Sequence, residues 1–214
     1  MLRHSILTTT GFMSLLLTAP LPAQTSFNAR WQVQQFAAGE SAPTQVTTHL
    51  ESRRRDGSVV RTTTVASPSG EQGQVIEIIN VAKRQKVRVE PFTGSKTTTA
   101  ISAAEVLLLN MSAEACKQNA ASSDMQSTRM GRNVVLEIVN QPEIAASVSG
   151  WLAPELGCTA LESTLALADG SHTDRIITSL DMNEPAAAIF EPPQGLVERT
   201  SAEVEQALRQ KFGN

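Results

Sequence analysis

The chain has 214 residues, 41% hydrophobic and 18% charged, with a net charge of -3. That is the composition of a globular chain long enough for one domain with a real core, and it excludes disorder, fibres and a sequence-wide basic footprint for nucleic acid. Aromatics are 4% with no tyrosine, which argues against stacked-ring platforms for sugars or single strands.

Residues 1–23 carry a short basic start at Arg3, an apolar run from Ile6 to Leu17 and a Pro-containing exit ending at Ala23. This is the layout of a cleaved signal peptide, and the apolar run is too short for a membrane anchor. No cysteine follows directly, so no lipid anchor is expected. No later segment reads as a transmembrane span, and residues 24–214 are expected to form a single β-rich domain in the periplasm or outside the cell. In such an oxidising compartment a Cys116–Cys158 disulfide is the simplest account of the two cysteines, with two buried free thiols as the alternative. It would close a loop of about 40 residues.

Phe27 to Phe36 alternates loosely and predicts a first strand. Gln45 to Arg53 and Ser58 to Val65, rich in Thr and Val, flank Asp56-Gly57 and predict a hairpin. Gln74 to Val81 is apolar and β-branched enough for a central strand, and Lys86 to Glu90 predicts another, ended by Pro91. At Ser102 the period becomes helical: Ser102 and Glu105 fit a capping box, and Val106, Leu109 and Ala113 predict one helix running to about Lys117, with Cys116 at its end. Gln118 to Thr128 reads as a polar loop. Asn133 to Val139 and Ala146 to Trp151 are strand-like. Leu161, Leu165 and Leu167 mark one face of a strand that turns at Asp169-Gly170 and returns over Arg175 to Leu180. Pro192-Pro193 stops a short turn, and Thr200 with Glu203 caps a final helix striped by Val204, Leu208 and Phe212. These elements make a mostly antiparallel sheet with one internal helix and a C-terminal helix, an α+β chain with β dominant.

Candidate chemistry is sparse. His172 and Asp174 would share a strand face and could form a small acid/base or metal pair, against the plainer reading of a solvated hairpin edge. His49 is the other histidine outside residues 1–23. No nucleophile elbow, zinc motif or phosphate loop occurs, so no catalytic residue, metal site or cofactor is assigned and an enzyme is not expected. Two basic clusters, Arg53, Arg54, Arg55 with Arg61, and Lys83, Arg84, Lys86 with Arg88, could attract anionic polymers or head groups, or could keep an exposed sheet edge soluble. Whether the clusters share a face is left open. Trp31 and Trp151 read as core anchors rather than stacking platforms.

Trp151, Ala153-Pro154-Glu155-Leu156-Gly157-Cys158, Asp169-Gly170, Glu184-Pro185 and Phe190-Glu191-Pro192-Pro193 resemble the C-terminal half of a family of uncharacterised secreted proteins common in soil bacteria. That family looks like a distant relative of the periplasmic lipoprotein-carrier superfamily. The resemblance implies an open, strongly curved antiparallel half-barrel with helices on its concave side, and a match for Cys158 that supports the disulfide. Asn183 and Ala186 to Ala188 depart from the pattern. The implied function is a non-catalytic protein holding an apolar or acyl ligand, its lining drawn from Ile76, Ile78, Val106, Leu109, Leu161 and Leu165, residues that read more simply as plain core. The alternative is an envelope module that binds or senses another protein and takes no small ligand.

Overall fold

The computed structural model describes residues 25–119, 125–142 and 146–213; the signal peptide expected over residues 1–23 lies outside them. In chain order the strands are β1 (Phe27–Phe36), β2 (Gln45–Arg53), β3 (Val59–Ala66), β4 (Gln72–Asn80), β5 (Gln85–Glu90) and β6 (Ser95–Ala100). Two helices follow, α1 (Ala103–Leu109) and α2 (Ala113–Asn119), then β7 (Gln126–Arg129), β8 (Arg132–Gln141), β9 (Ala146–Ala153), β10 (Thr159–Leu167), β11 (His172–Asp181), β12 (Val197–Glu198) and helix α3 (Ser201–Phe212).

All twelve strands belong to one open sheet in the order β12-β6-β5-β4-β3-β2-β1-β11-β10-β9-β8-β7. Two antiparallel meanders meet where β1 pairs β11, and β12 runs parallel to β6 at one edge. Tight turns set the local pairings. Asp56 accepts the Ser58 N–H and Gly57, at φ +82°, closes the β2–β3 hairpin, because only a residue without Cβ takes that backbone cheaply.

β6 lies near one edge and β7 forms the other, so the segment between them must cross the sheet and thereby lays α1 and α2 over one face. Among the described residues the single expected helix is two. Asn110 ends α1, its side chain donating to the Val106 carbonyl, and Ser112 starts a new helix by accepting from the Ala115 N–H. Cys116 consequently sits inside α2. The strand count likewise exceeds expectation: β6 and β12 were not anticipated, and β7 occupies part of the expected polar loop.

The main core gathers fully buried Phe27, Trp31, Leu156 and Leu161 with Ile177 and Ala153, joined by partly buried Trp151. A second cluster packs Val59, Ile79 and Val81 against Ile101 and Val106 of the helix segment. A third lies on the other face, where Val60 and Ile78 meet Phe190 from the short 3-10 turn Ala187–Phe190. The capping box of α3 forms as expected, with Thr200 and Glu203 satisfying each other's N–H groups. Phe212 of α3 meets Phe92 edge-on at 5.7 Å, which docks the helix on the β5–β6 turn. Among the described residues no helix is long and apolar enough to cross a membrane.

Candidate binding cavity

A cavity of about 590 Å³ lies between the sheet and the segment joining α1 to α2. Its wall is Glu51 and Arg53 of β2, Arg61 of β3, Arg175 of β11, Glu137 of β8, Leu152 of β9 and Thr159 and Ala160 of β10. Leu109 and Met111 form the roof, and Gly157-Cys158 one corner. Strand parity puts these side chains together: Glu51 pairs Arg61, Arg53 pairs Val59, and Ser163, opposite Arg175, also pairs Gly150, opposite Glu137. Arg61 and Glu137 stand six strand spacings apart in the sheet order, about 29 Å if flat. Lining one cavity requires the sheet to curl around the helices. Bulges at Arg30/Trp31 and Ala160/Glu162, both beside the cavity, are devices that bend strands.

The roof is tied down covalently. Cys116 of α2 is joined to Cys158, the second residue after the Pro154–Leu156 turn, where Gly157 and Cys158 both take φ of 64°. Arg53 adds a second tie by donating to the Leu109 carbonyl at 3.4 Å.

The floor is charged. Glu51, 3% exposed, faces three guanidiniums: Arg61 at 3.0 Å, Arg53 at 3.7 Å and Arg175 at 3.7 Å. Arg61 also binds Glu77 at 3.2 Å, and Glu77 pairs Arg88, so Glu51, Arg61, Glu77 and Arg88 make a ladder of alternating charge across β2 to β5. Burial lowers the pKa of Arg53 and Arg175, Glu51 partly restoring it and the positive Arg61 adding to the depression. Arg175 lies over the Trp31 ring, 3.8 Å from its centroid, an arrangement that supports a partly desolvated cation.

The expected site residues scatter. Leu109 lines the cavity; Val106 is buried in the neighbouring cluster and Leu161 in the main core. Leu165 lies on the cavity face but farther along β10, paired with Val148. Ile76 and Ile78 pair Val89 and Val87 and pack toward Phe190 on the opposite face, so they share no surface with Val106 and Leu109. The basic clusters also correct expectation. β2 and β3 are interior strands, and Arg53 and Arg61 belong to the buried network rather than an exposed edge, while Arg54 and Arg55 bind Glu184 outside it. Lys86 and Arg88 lie on the same face as Arg53 and Arg61.

His172 and Asp174 do share a face, but His172 stacks on Phe36 at 4.4 Å and Asp174 accepts from Thr164 at 2.6 Å. His49 sits between Thr47 and Thr63, with burial first and the Arg175 charge second lowering its pKa. Among the described residues no group of three or more His, Cys, Asp or Glu is placed to hold a metal ion.

No protein-family model matches the chain, and no curated protein matches it. Among solved structures it is similar to PNGF-II at 10% identity and a TM-score of 0.50, over 86% of this chain and 33% of that one. It is also similar to MucB at 16% identity and 0.46, over 84% of this chain and 62% of that one. A LolA superfamily protein from Nitrosomonas europaea aligns at 7% identity and 0.40, over 79% of this chain and 91% of that one. The chain thus spans about a third of PNGF-II and less than two thirds of MucB. At 10% identity the PNGF-II match speaks to the fold alone.

Proposed function

We propose that the chain is a non-catalytic binding protein of an extracytoplasmic compartment that holds the alkyl chain of an apolar or acyl ligand under its helical roof. The observation that carries this reading is the cavity of about 590 Å³ between curled sheet and roof, a volume in the range of roughly 300–1,000 Å³ typical of small-molecule sites. Leu109, Met111, Leu152 and Ala160 supply its apolar half. The Cys116–Cys158 bridge accords with an oxidising compartment.

The test is native mass spectrometry of the full chain purified from the compartment where it accumulates, followed by solvent extraction. A near-stoichiometric acyl compound is expected. A clean ligand-free mass, together with a stable protein partner in the same preparation, would overturn the reading in favour of an interaction module.

A further inference from the structure

The cavity is built for more than an alkyl chain, because its floor holds guanidiniums that its own carboxylates do not saturate. Of the three arginines facing Glu51, only Arg61 stands at hydrogen-bond distance, 3.0 Å, and it has Glu77 besides. Arg53 and Arg175 each stand 3.7 Å from the Glu51 carboxylate, beyond a hydrogen bond. Arg53 is 5% exposed, and its Nε is buried with no hydrogen-bond partner. Arg175 stacks on Trp31, and a stacked guanidinium keeps its N–H donors in the plane, directed past the ring edge. Two planar guanidiniums that Glu51 does not saturate therefore border one cavity.

The charge is also placed asymmetrically. Arg53, Arg61 and Arg175 occupy β2, β3 and β11, whereas Glu137 lines the far wall on β8. An anion is drawn to the arginine end and repelled from the other. Leu109, Met111, Leu152 and Ala160 lie between and above these walls and cover apolar surface.

We propose that the cavity takes an anionic amphiphile, a carboxylate or phosphate head held by Arg53 and Arg175 and a single alkyl chain laid along Leu109, Met111, Leu152 and Ala160. This rests on reading the cavity as a ligand site and adds the charge of the head group. Arg61 and Glu51 act as struts that hold the two binding guanidiniums in place.

The experiment is calorimetric titration of the purified, delipidated full chain with dodecanoate, dodecanol, dodecyltrimethylammonium and acetate, each below its micellar concentration. Dodecanoate is expected to bind at least about tenfold tighter than dodecanol, as a charge-assisted hydrogen bond requires, with the ammonium and acetate weaker still. Arg175→Gln should narrow the gap between dodecanoate and dodecanol, with Arg53 keeping part of it, by weakening dodecanoate more than dodecanol. Equal binding of dodecanoate and dodecanol overturns the head-group assignment while leaving the apolar cavity intact. Failure of every dodecyl compound to bind overturns the cavity reading and this inference with it. Acetate binding as tightly as dodecanoate overturns the amphiphile. Should Arg175→Gln misfold, the acid-against-alcohol comparison on the unaltered chain still decides.

Discussion

Replacing Glu51 by Gln removes the charge at the centre of the arginine network with almost no change of shape. The side chain of Glu51 is 4% exposed and that of Arg53 7%, so this pair is the buried one, whereas Arg175 and Arg61 are 36% and 42% exposed. Solvent screens the last two, and Arg61 retains Glu77. Breaking one buried pair costs about 3–5 kcal/mol because the surviving charge is left uncompensated. The 3.7 Å separation places Glu51→Gln at the low end, about 3 kcal/mol, or a fall of about 1 M in the urea midpoint for a slope near the top of the usual range. The double variant Glu51→Gln/Arg53→Gln removes both charges and should regain at least half of the loss. A loss below about 1 kcal/mol in Glu51→Gln, or additive losses in the double variant, would refute the claim that Glu51 compensates Arg53.

Three further outcomes are expected. Reducing the Cys116–Cys158 bridge, which closes a separation of 42 residues, should cost about 4 kcal/mol in the chain-entropy model, read as the difference between urea curves with and without reductant; coincident curves would contradict it. Gly57→Ala should lose about 1–3 kcal/mol, because the position sits at φ +82° and a Cβ there would overlap the Asn110 side chain that ends α1; an unchanged thermal midpoint would show that α1 does not rest on the hairpin. His49, whose protonation is disfavoured in the fold by burial and then by Arg175, binds more protons when unfolded, so stability should fall as pH drops below the ordinary histidine value of about 6.5 and level off below the depressed folded value; His49→Gln should flatten that part of the pH profile, and an unaltered profile would assign the dependence elsewhere.

The hairpins were legible because their signals are local. Asp56-Gly57 and Asp169-Gly170 each demand a tight turn, and the strands beside them follow from it. What escaped has physical reasons. β6 reads SKTTTA, a segment without an apolar face, and its place comes from pairing with β5. The helix looked continuous because Val106, Leu109 and Ala113 keep a helical spacing, while the break depends on Asn110 bonding backward to Val106. QVIEIINV has apolar residues at both parities, so only the register of β3 against β4 reveals that Ile79 faces the helices and Ile78 faces Phe190.

The charged floor was half visible. Asp56-Gly57 shows that β2 and β3 are neighbours, but counting outward from a two-residue turn would set Arg61 opposite Ser52; the loop also takes in Arg55, as the Arg54 N–H to Ser58 carbonyl bond shows, and that shifts the register by one so that Glu51 meets Arg61. Arg175 could not be placed that way, because it reaches Glu51 only through the pairing of β1 with β11, two strands more than a hundred residues apart. That long-range pairing also decides what the cavity can hold. Without it the inside of the sheet would carry the alternating ladder of Glu51, Arg61, Glu77 and Arg88 with Arg53 beside it. With it, a third guanidinium joins Arg53 and Arg61 on a single buried carboxylate, and positive charge gathers at one end of the cavity. If the cavity takes the proposed amphiphile, that floor would discriminate by charge before chain length, which is why the first comparison to make is between two ligands identical in chain and different only in head.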